Sequence, residues 1–180
     1  MIREDLHITW SCLSRIDNIS DEIANAMKNA GCTNVYLGIE SGNDEILKLM
    51  NKKIDKAAVR RGVGVFKNNG IQCAGFFIVG YPGETVGTIE ETFEFALSLG
   101  LDEISFNVPY PLPGSKLYDR ISGISDDDWT IENETRFLYQ SEFDEKWLMQ
   151  RIKETQRTCN QNNKGNKNWS LENRKEKLHN

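Results

Sequence analysis

Side chains that could bind a small polar molecule follow several of the apolar runs in this sequence. Arg15 comes after the first run, Glu40 and Ser41 come after the second, and Asn107 and Val108 close the last one. A carboxylate can accept hydrogen bonds from an ammonium or a hydroxyl group, and a guanidinium can bind a carboxylate through two hydrogen bonds. If these runs are strands of one parallel sheet, the polar groups gather at one edge and predict a small-molecule site.

The segment FFIVGYPGET, residues 76–85, joins an apolar run to two glycines and an acid. Gly80 and Gly83 leave the backbone accessible to a ligand. The segment lacks the lysine of a phosphate-binding loop. A second interpretation is that it only turns the chain, since glycines and polar residues are expected in any strand-to-helix turn.

Most common catalytic and metal-binding motifs are absent from the sequence. No GxGxxG pattern opens a helix after a strand, so a nicotinamide site is not indicated. His7 and His179 lie in a strand start and a polar tail, which leaves no Ser-His-Asp or Cys-His arrangement. The four cysteines are too widely spaced for a metal motif, and we expect reduced thiols at Cys12, Cys32, Cys73 and Cys159.

The composition predicts a cytoplasmic protein. The 180 residues carry a net charge of −5 at pH 7, which argues against a general nucleic-acid or anionic-membrane binder. No apolar run approaches the roughly 18 residues of a membrane span, and the N-terminus lacks the apolar core of a signal peptide. We therefore expect no nucleic-acid or membrane partner, and a small-molecule substrate that the sequence does not identify.

Alternating strand-type and helix-type segments would position the polar residues. The strand-type segments are 6–13, 34–40, 72–80 and 102–111. The helix-type segments are 20–31, 41–51, 55–70 and 88–100. This alternation predicts an α/β fold with a parallel sheet and right-handed crossovers. Both a doubly wound open sheet and a wholly or partly closed barrel fit the pattern, and in both a ligand binds at the carboxyl ends of the strands.

Two capping boxes are predicted where helices begin. Ser41 lies three residues before Asp44, and Thr88 lies three residues before Glu91.

The strand-helix alternation ends after about residue 112, which divides the chain into three parts. Residues 1–123 hold the strand-helix units. Residues 124–159 are predicted to form an acidic loop and an amphipathic helix over 143–159. The remaining residues, 160–180, are predicted to be a polar tail without regular structure.

Three blocks of the sequence resemble one enzyme family. They are GIESGNDEILKLMNK at 38–52, FIVGYPGET at 77–85 and NVPYPLPGSKLYD at 107–119. Together they look like the later half of the radical S-adenosylmethionine (radical SAM) enzymes, over roughly residues 6–120. The most similar groups are the members fused to a cobalamin-binding domain and the methylthiotransferases.

The resemblance implies a partial (βα) TIM-type barrel whose four visible strands are the third to the sixth, followed by a C-terminal helix. It implies SAM and a [4Fe-4S] cluster as cofactors, and cobalamin in an appended domain as a further one. In such enzymes the cluster binds SAM, and reductive cleavage of SAM gives a 5′-deoxyadenosyl radical.

The resemblance also implies roles for particular residues. Glu40 and Ser41 would bind the amine or the ribose hydroxyls of SAM. Arg15 would bind a carboxylate of SAM or of the substrate. The other residues would contact adenine: Ile78, Val79 and Gly80 as a shelf, and Asn107 and Val108 through backbone or amide groups.

The sequence departs from the family pattern where the cluster would bind. The CxxxCxxC motif and the glycine-rich turn that holds the methionyl amine are absent. In the adenine motif, Phe76 replaces the first glycine and Glu84 falls one residue late. We therefore expect no metal ligands and a chain that is inactive alone, as in a truncated frame, a split gene or an excised fragment. The missing N-terminal half, as a separate chain, is the expected partner.

Two other interpretations are open. The chain could be a degenerate, non-catalytic module that binds a small ligand or a partner chain. It could also be an unrelated barrel enzyme that uses Glu40 and Glu84 as acid and base, which would require perturbed pKa values in a dry cleft.

Overall fold

The computed structural model describes residues 8–121 and 141–176, with side chains as far as residue 163. The strands are β1 (Trp10–Ser14), β2 (Cys32–Glu40), β3 (Gln72–Ile78) and β4 (Glu103–Asn107). The helices are α1 (Asp21–Asn29), α2 (Asp44–Leu49), α3 (Lys56–Asn68), α4 (Val86–Ser98) and α5 (Glu145–Glu176), with a 3₁₀ turn at Tyr118–Arg120. Among the described residues, no helix is both long enough and apolar enough to cross a membrane.

The four strands form one parallel sheet in the order β1-β2-β3-β4. This order never reverses, so the sheet lacks the switch point of a doubly wound fold. On one face, Val35, Leu37 and Ile39 are fully buried in the core that the sheet shares with the helices. Sequential parallel strands with helices packed on one face form the wall of a barrel. The predicted α/β partial barrel is therefore confirmed, and the doubly wound alternative is wrong.

The other face of the sheet, which we call the open face, carries Leu13, Tyr36, Phe76, Ile78 and Ser105. The rings of Tyr36 and Phe76 are nearly parallel, with centroids 5.9 Å apart and an interplanar angle of 9°. Leu13 is 80% exposed. In a closed barrel this face points inward, and here none of the described elements forms a layer over it.

The starts of α2 and α4 differ from the predicted capping boxes. The α2 N-cap is Asn43, whose side-chain oxygen accepts hydrogen bonds from two backbone N–H groups at 3.0 and 3.1 Å, so the predicted Ser41 box is wrong. The α4 N-cap is Thr85, which forms a capping box with Thr88: each side chain accepts a hydrogen bond from the backbone N–H of the other residue. The predicted box of Thr88 with Glu91 is therefore wrong. Ser, Thr and Asn are all good N-cap residues, and several of them occur close together before α2 and α4. The spacing of these residues in the sequence does not show which one caps the helix.

Helix α5 covers β4 and α4. Leu148 and Ile152 are buried in the core. The Arg151 guanidinium binds both carboxylate oxygens of Glu90 at 2.7 and 2.5 Å and lies over the Phe93 ring at 5.5 Å from its centroid. The helix predicted over 143–159 is confirmed, but it continues to Glu176, through residues for which a tail without regular structure was predicted. The predicted acidic loop, which begins at residue 124, and the two histidines lie outside the described residues.

Gly42 lets the β2–α2 turn pack against α4. A Cβ at position 42 would lie 2.6 Å from the Cβ of Phe95 and 2.7 Å from the Cα of Thr92. We expect Gly42→Ala to lower the free energy of unfolding by about 1–3 kcal/mol, because the backbone of α4 must move to make room. Chemical denaturation monitored by circular dichroism would measure the change.

Gly64 gives a matched control for this substitution. It lies inside α3, and a Cβ there would have nothing within 4 Å. Gly64→Ala should therefore raise stability by up to about 1 kcal/mol through helix propensity. Equal effects of the two substitutions would contradict the packing assigned to Gly42.

Candidate active site

The carboxyl ends of β2, β3 and β4 lie side by side. Ile78 pairs with Asn107 in the β3–β4 register, and the Val79 N–H donates to the Asn107 carbonyl at 2.9 Å. Glu40 pairs with Phe77 of β3. The candidate residues that follow these three strands are therefore neighbours at one edge of the sheet. We call this edge, from Arg15 across to Asn107, the rim.

Glu40 is the most constrained residue of the rim. The register of β2 against β3 shifts between Gly38 and Glu40, just before the last pair of the ladder, and Glu40 has a φ of 73°. A left-handed backbone costs a non-glycine residue about 1–2 kcal/mol. The Glu40 side chain is only 15% exposed, and its Oε1 atom accepts a hydrogen bond from the Lys52 ammonium at 2.6 Å. A Cβ at Gly38 would lie 3.1 Å from the same oxygen, so the glycine leaves room for this carboxylate.

A pocket of about 140 Å³ opens beside Glu40 at the ends of β1 and β2. Three cationic side chains line it, those of Arg15, Lys52 and Lys53, together with the carboxylates of Asp17 and Glu40. The excess of cations favours a ligand that carries a carboxylate or another anionic group. Lys52 was missed in the sequence because it lies in the α2–α3 connection and not at a strand end. Lys52 lies twelve residues after Glu40, and no short sequence motif indicates that the two side chains form an ion pair.

Arg15 lies at the pocket mouth and is largely exposed. Its side chain binds both oxygens of Asp17, at 3.0 and 2.5 Å. These hydrogen bonds raise the pKa of Arg15 and lower the pKa of Asp17. Arg15 is thus charged and held beside the pocket, where it can reach a ligand carboxylate only by sharing or leaving Asp17.

Ser41 does not face the pocket. It is fully buried, and its hydroxyl lies 3.2 Å from the Thr92 hydroxyl and accepts the Asn43 N–H at 3.1 Å. The Gly42 N–H donates to the same Thr92 oxygen at 3.0 Å. These contacts fix the β2–α2 turn against α4. The Ser41 hydroxyl therefore stabilises the turn below the rim, and its expected contact with a ligand stays a prediction.

The residues expected to contact adenine differ in what they present. Ile78 is half-buried on the open face, and the Asn107 side chain is exposed at the end of β4. The Val79 side chain is fully buried in the core. Of this residue, only the backbone is therefore available to contact adenine. Gly80 has a φ of 83°, a conformation that favours glycine and turns the chain at the rim. Val108 is half-buried directly after β4.

Glu84 is a buried residue that stabilises the turn after β3 through a hydrogen bond to its backbone. It is 4% exposed, its Oε2 atom accepts the Tyr81 N–H at 2.7 Å, and its Oε1 atom has no hydrogen-bond partner. Burial raises the pKa of Glu84 to about 7, against the smaller opposing effect of hydrogen bonds from the Tyr81 and Gly80 backbone. The residues that line the pocket beside Glu40 do not include Glu84. The geometry thus gives no support to an acid-base pair formed by Glu40 and Glu84.

The described cysteines do not fit an iron-sulfur cluster. Cys32, Cys73 and Cys159 are buried, and the Cys12 side chain is half-buried in the edge strand. Burial raises the pKa of Cys73 to about 12, which disfavours the thiolate that binds a metal. Within residues 8–121 and 141–163, no group of three or more metal-ligating side chains comes together. The described residues therefore provide no set of ligands for a cluster.

Comparison with known families identifies the superfamily of the chain. The model of the radical SAM superfamily matches residues 1–96, more than half of the chain. The chain belongs to the radical SAM superfamily. Members of this superfamily are SAM-dependent iron-sulfur enzymes. The family prediction made from the three sequence blocks is thus confirmed.

Individual relatives agree with this assignment. An uncharacterized methyltransferase of Pyrococcus horikoshii is 37% identical over 117 residues, which are 65% of this chain and 26% of the relative. An archaeal Elp3 protein of Methanocaldococcus infernus superposes with a TM-score of 0.56 at 23% identity, over 62% of this chain and 27% of that one.

A radical SAM methyltransferase of Kitasatospora setae, solved with cobalamin and a [4Fe-4S] cluster, superposes with a TM-score of 0.51 at 21% identity, over 56% of this chain and 19% of that one. At such identities the structures show a shared fold. The chain spans about a quarter of the length of the curated relative from Pyrococcus horikoshii.

The raised pKa of Glu84 makes stability depend on pH. Below an ordinary glutamate pKa of 4.5 the side chain is protonated in both the folded and the unfolded chain. As the pH rises from 4.5 to about 7, only the unfolded chain loses the proton, so stability falls, by roughly 3 kcal/mol. We expect Glu84→Gln to remove this loss, so that the stability of the variant relative to wild type rises between pH 4.5 and about 7 and stays higher above that range, as measured by denaturant unfolding.

Glu94 provides the matched control because it lies exposed on α4, the same helix whose start Glu84 precedes. Glu94→Gln should leave the wild-type pH profile unchanged. Identical profiles for wild type and Glu84→Gln would contradict a titration of Glu84 near neutral pH.

Proposed function

We propose that this chain carries the adenine and ribose side of the SAM site of a radical SAM enzyme core. The observation that supports this most strongly is the Glu40–Lys52 ion pair, which lies at one rim with the adjoining ends of β3 and β4. The rim combines the Glu40 carboxylate with a pocket lined by three cationic side chains, within a chain of this superfamily. SAM carries the matching groups, since it has hydroxyls, an amine, a carboxylate and a flat base.

Each part of SAM has a suitable partner on the rim. Glu40 would accept hydrogen bonds from the ribose hydroxyls or from the methionyl amine. Lys52, already held at the pocket by Glu40, would bind the methionyl carboxylate, with Arg15 as a second cation at the mouth. Adenine would lie against Ile78 and Asn107, where an apolar side chain and an exposed amide lie on adjacent strand ends beside the turn at Gly80.

The chemistry of the whole enzyme needs groups that the described residues do not supply. In radical SAM enzymes, SAM bound to a [4Fe-4S] cluster supplies a 5′-deoxyadenosyl radical. Because the described cysteines do not fit a cluster, the cluster ligands would come from another polypeptide segment, with an N-terminal half as the proposed partner. The chain described here would then contribute binding and orientation of SAM but would be inactive alone.

The proposal can be tested by comparing SAM with 5′-deoxy-5′-methylthioadenosine, which keeps adenine and ribose but lacks the amine and the carboxylate. Lys52→Ala should weaken SAM binding about tenfold and leave methylthioadenosine binding unchanged, since only SAM offers the carboxylate. If Glu40 binds the ribose, Glu40→Ala should weaken the binding of both SAM and methylthioadenosine. If Glu40 binds the amine, the substitution should weaken the binding of SAM alone. Isothermal titration calorimetry would give the dissociation constants.

Lys48 supplies the control for these titrations, because it is an exposed lysine that pairs with Glu45 on α2 and does not line the pocket. Lys48→Ala should bind both ligands as wild type does. If neither ligand binds the wild-type chain at millimolar concentration, the proposed SAM site is refuted. If Lys52→Ala weakens both ligands equally, the role of Lys52 is wrong.

Iron-sulfur reconstitution tests the second half of the proposal. After anaerobic incubation with iron and sulfide, we expect the chain to hold no stable [4Fe-4S] cluster and to form no 5′-deoxyadenosine from SAM, because its cysteines are dispersed and largely buried. Electron paramagnetic resonance after reduction, with a characterised radical SAM enzyme as positive control, provides the measurement. A cluster signal together with 5′-deoxyadenosine would show that the chain is complete in its cofactor ligands.

A further inference from the structure

In the part of the chain that the structure describes, two non-glycine residues have a left-handed backbone, and both lie at the ion pair of the rim. Glu40 has a φ of 73°, and Asn51 has a φ of 57°. Asn51 directly precedes Lys52, whose ammonium binds the Glu40 carboxylate at 2.6 Å. Uncommon backbone conformations persist where the surrounding structure enforces them, and they cluster at functional sites. The two left-handed positions therefore point to the Glu40–Lys52 pair.

Helix α2 ends in a motif that fixes the backbone of Lys52. The Asn51 N–H donates to the Lys48 carbonyl at 2.9 Å, and the Lys52 N–H donates to the Leu47 carbonyl at 2.8 Å. These two bonds around a left-handed residue form a Schellman motif. The residue that follows the left-handed one commonly packs an apolar side chain back on the helix. Here that residue is a lysine, and its side chain extends to Glu40 instead.

The far end of the α2–α3 connection is also fixed. The Asp55 side chain caps α3, and the Asp44 Oδ1 atom accepts a hydrogen bond from the Lys56 N–H at 2.9 Å. Asp44 lies in the first turn of α2, so this bond ties the start of α3 to the start of α2. Residues 50–55 are thereby held at both ends. They contribute three of the nine residues that line the pocket: Lys52, Lys53 and Ile54.

We propose that Asn51 is a positioning residue for the carboxylate of the ligand. Its left-handed backbone directs Lys52 into the pocket, where Glu40 holds the ammonium before a ligand binds. Because the folded chain already orders this long side chain, binding of a carboxylate loses less conformational entropy than it would with a freely moving lysine. Asn51 does not line the pocket, so it acts through Lys52. This inference deepens the proposed SAM site and rests on it.

The backbone of Asn51 carries this role, and its exposed amide group does not. Glycine adopts a left-handed backbone without steric cost, whereas a β-branched residue is strongly disfavoured there. Asn51→Gly should therefore keep Lys52 in place, and Asn51→Val should release it. Both substitutions remove the same amide group, so a difference between them reports the effect of the backbone.

Calorimetric titration with SAM and with 5′-deoxy-5′-methylthioadenosine tests the inference. Asn51→Val should weaken SAM binding by about three- to tenfold, up to the loss expected for Lys52→Ala. Its binding of methylthioadenosine should be unchanged, which also shows that the variant is folded. Asn51→Gly should bind both ligands as wild type does. In a chain that already carries Lys52→Ala, Asn51→Val should cause no further loss, because both changes remove the same contact.

Asn68 supplies the matched control. It is an exposed asparagine at the end of α3, its backbone is not left-handed, and it does not line the pocket. Asn68→Val should bind both ligands as wild type does. A similar loss of SAM binding in this variant would overturn the inference, because the effect would not depend on the position beside Lys52.

Nuclear magnetic resonance relaxation of the Lys52 ε-methylene group gives a second reading that needs no ligand. The signal is identified by its absence from Lys52→Ala. Motion of this group should be restricted in wild type and in Asn51→Gly, and it should increase in Asn51→Val.

The outcomes separate the positioning role from the SAM site itself. Wild-type SAM affinity and an ordered Lys52 in Asn51→Val would overturn the inference and leave the SAM site standing. An equal loss in Asn51→Gly and Asn51→Val would overturn it because the amide group would then be responsible. An equal loss of both ligands in Asn51→Val would overturn it by indicating a general distortion of the rim. If the wild-type chain binds neither ligand, the SAM site fails, and the relaxation measurement decides whether Asn51 orders Lys52.

Discussion

The candidate site depends on parallel hydrogen bonding between strands that follow one another in the chain. The pairing of Ile78 with Asn107 and of Glu40 with Phe77 forces three successive connections to leave the sheet at one edge. A backbone bond from Val79 to the Asn107 carbonyl extends this register past the end of β3, so the turn at Gly80 begins from a fixed position. Glu40 and Asn107, which are 67 positions apart in sequence, are thereby brought to the same edge of the sheet with only β3 between their strands, and the rim forms without long loops.

The rim separates residues that build the turn from residues that can reach a ligand. Ser41 and Thr92 use their hydroxyls on each other and on the backbone of the β2–α2 turn. The adjacent residue, Glu40, lines the pocket. Its backbone is left-handed, and its carboxylate forms an ion pair with Lys52. Strain of about 1–3 kcal/mol at a functional position persists only when the surrounding structure over-determines it, and the buried hydroxyl contacts below Glu40 provide that support.

Sequence patterns predicted the elements well because they are local. Apolar runs and helical periodicity located all four strands and the main helices, and the strand-end positions of Glu40, Gly80 and Asn107 followed from the parallel order. What the sequence could not show depends on distant contacts. Ser41 is buried by Thr92, 51 residues away, and Lys52 reaches Glu40 through the path of the α2–α3 connection. The pKa of Glu84 likewise arises from burial, which no residue spacing reveals.

One topological feature gives rise to both the rim and the open face of the described sheet. A doubly wound sheet would reverse its strand order, cover both faces with helices and form its crevice at the reversal. In this chain the order never reverses, so the strand ends form a continuous rim while one face and two edges receive no cover from the described elements. A rim of this kind encloses a ligand only when the wall curves around it. The curvature of the wall formed by β2, β3 and β4 therefore decides how far the rim between Glu40 and Asn107 can surround a ligand.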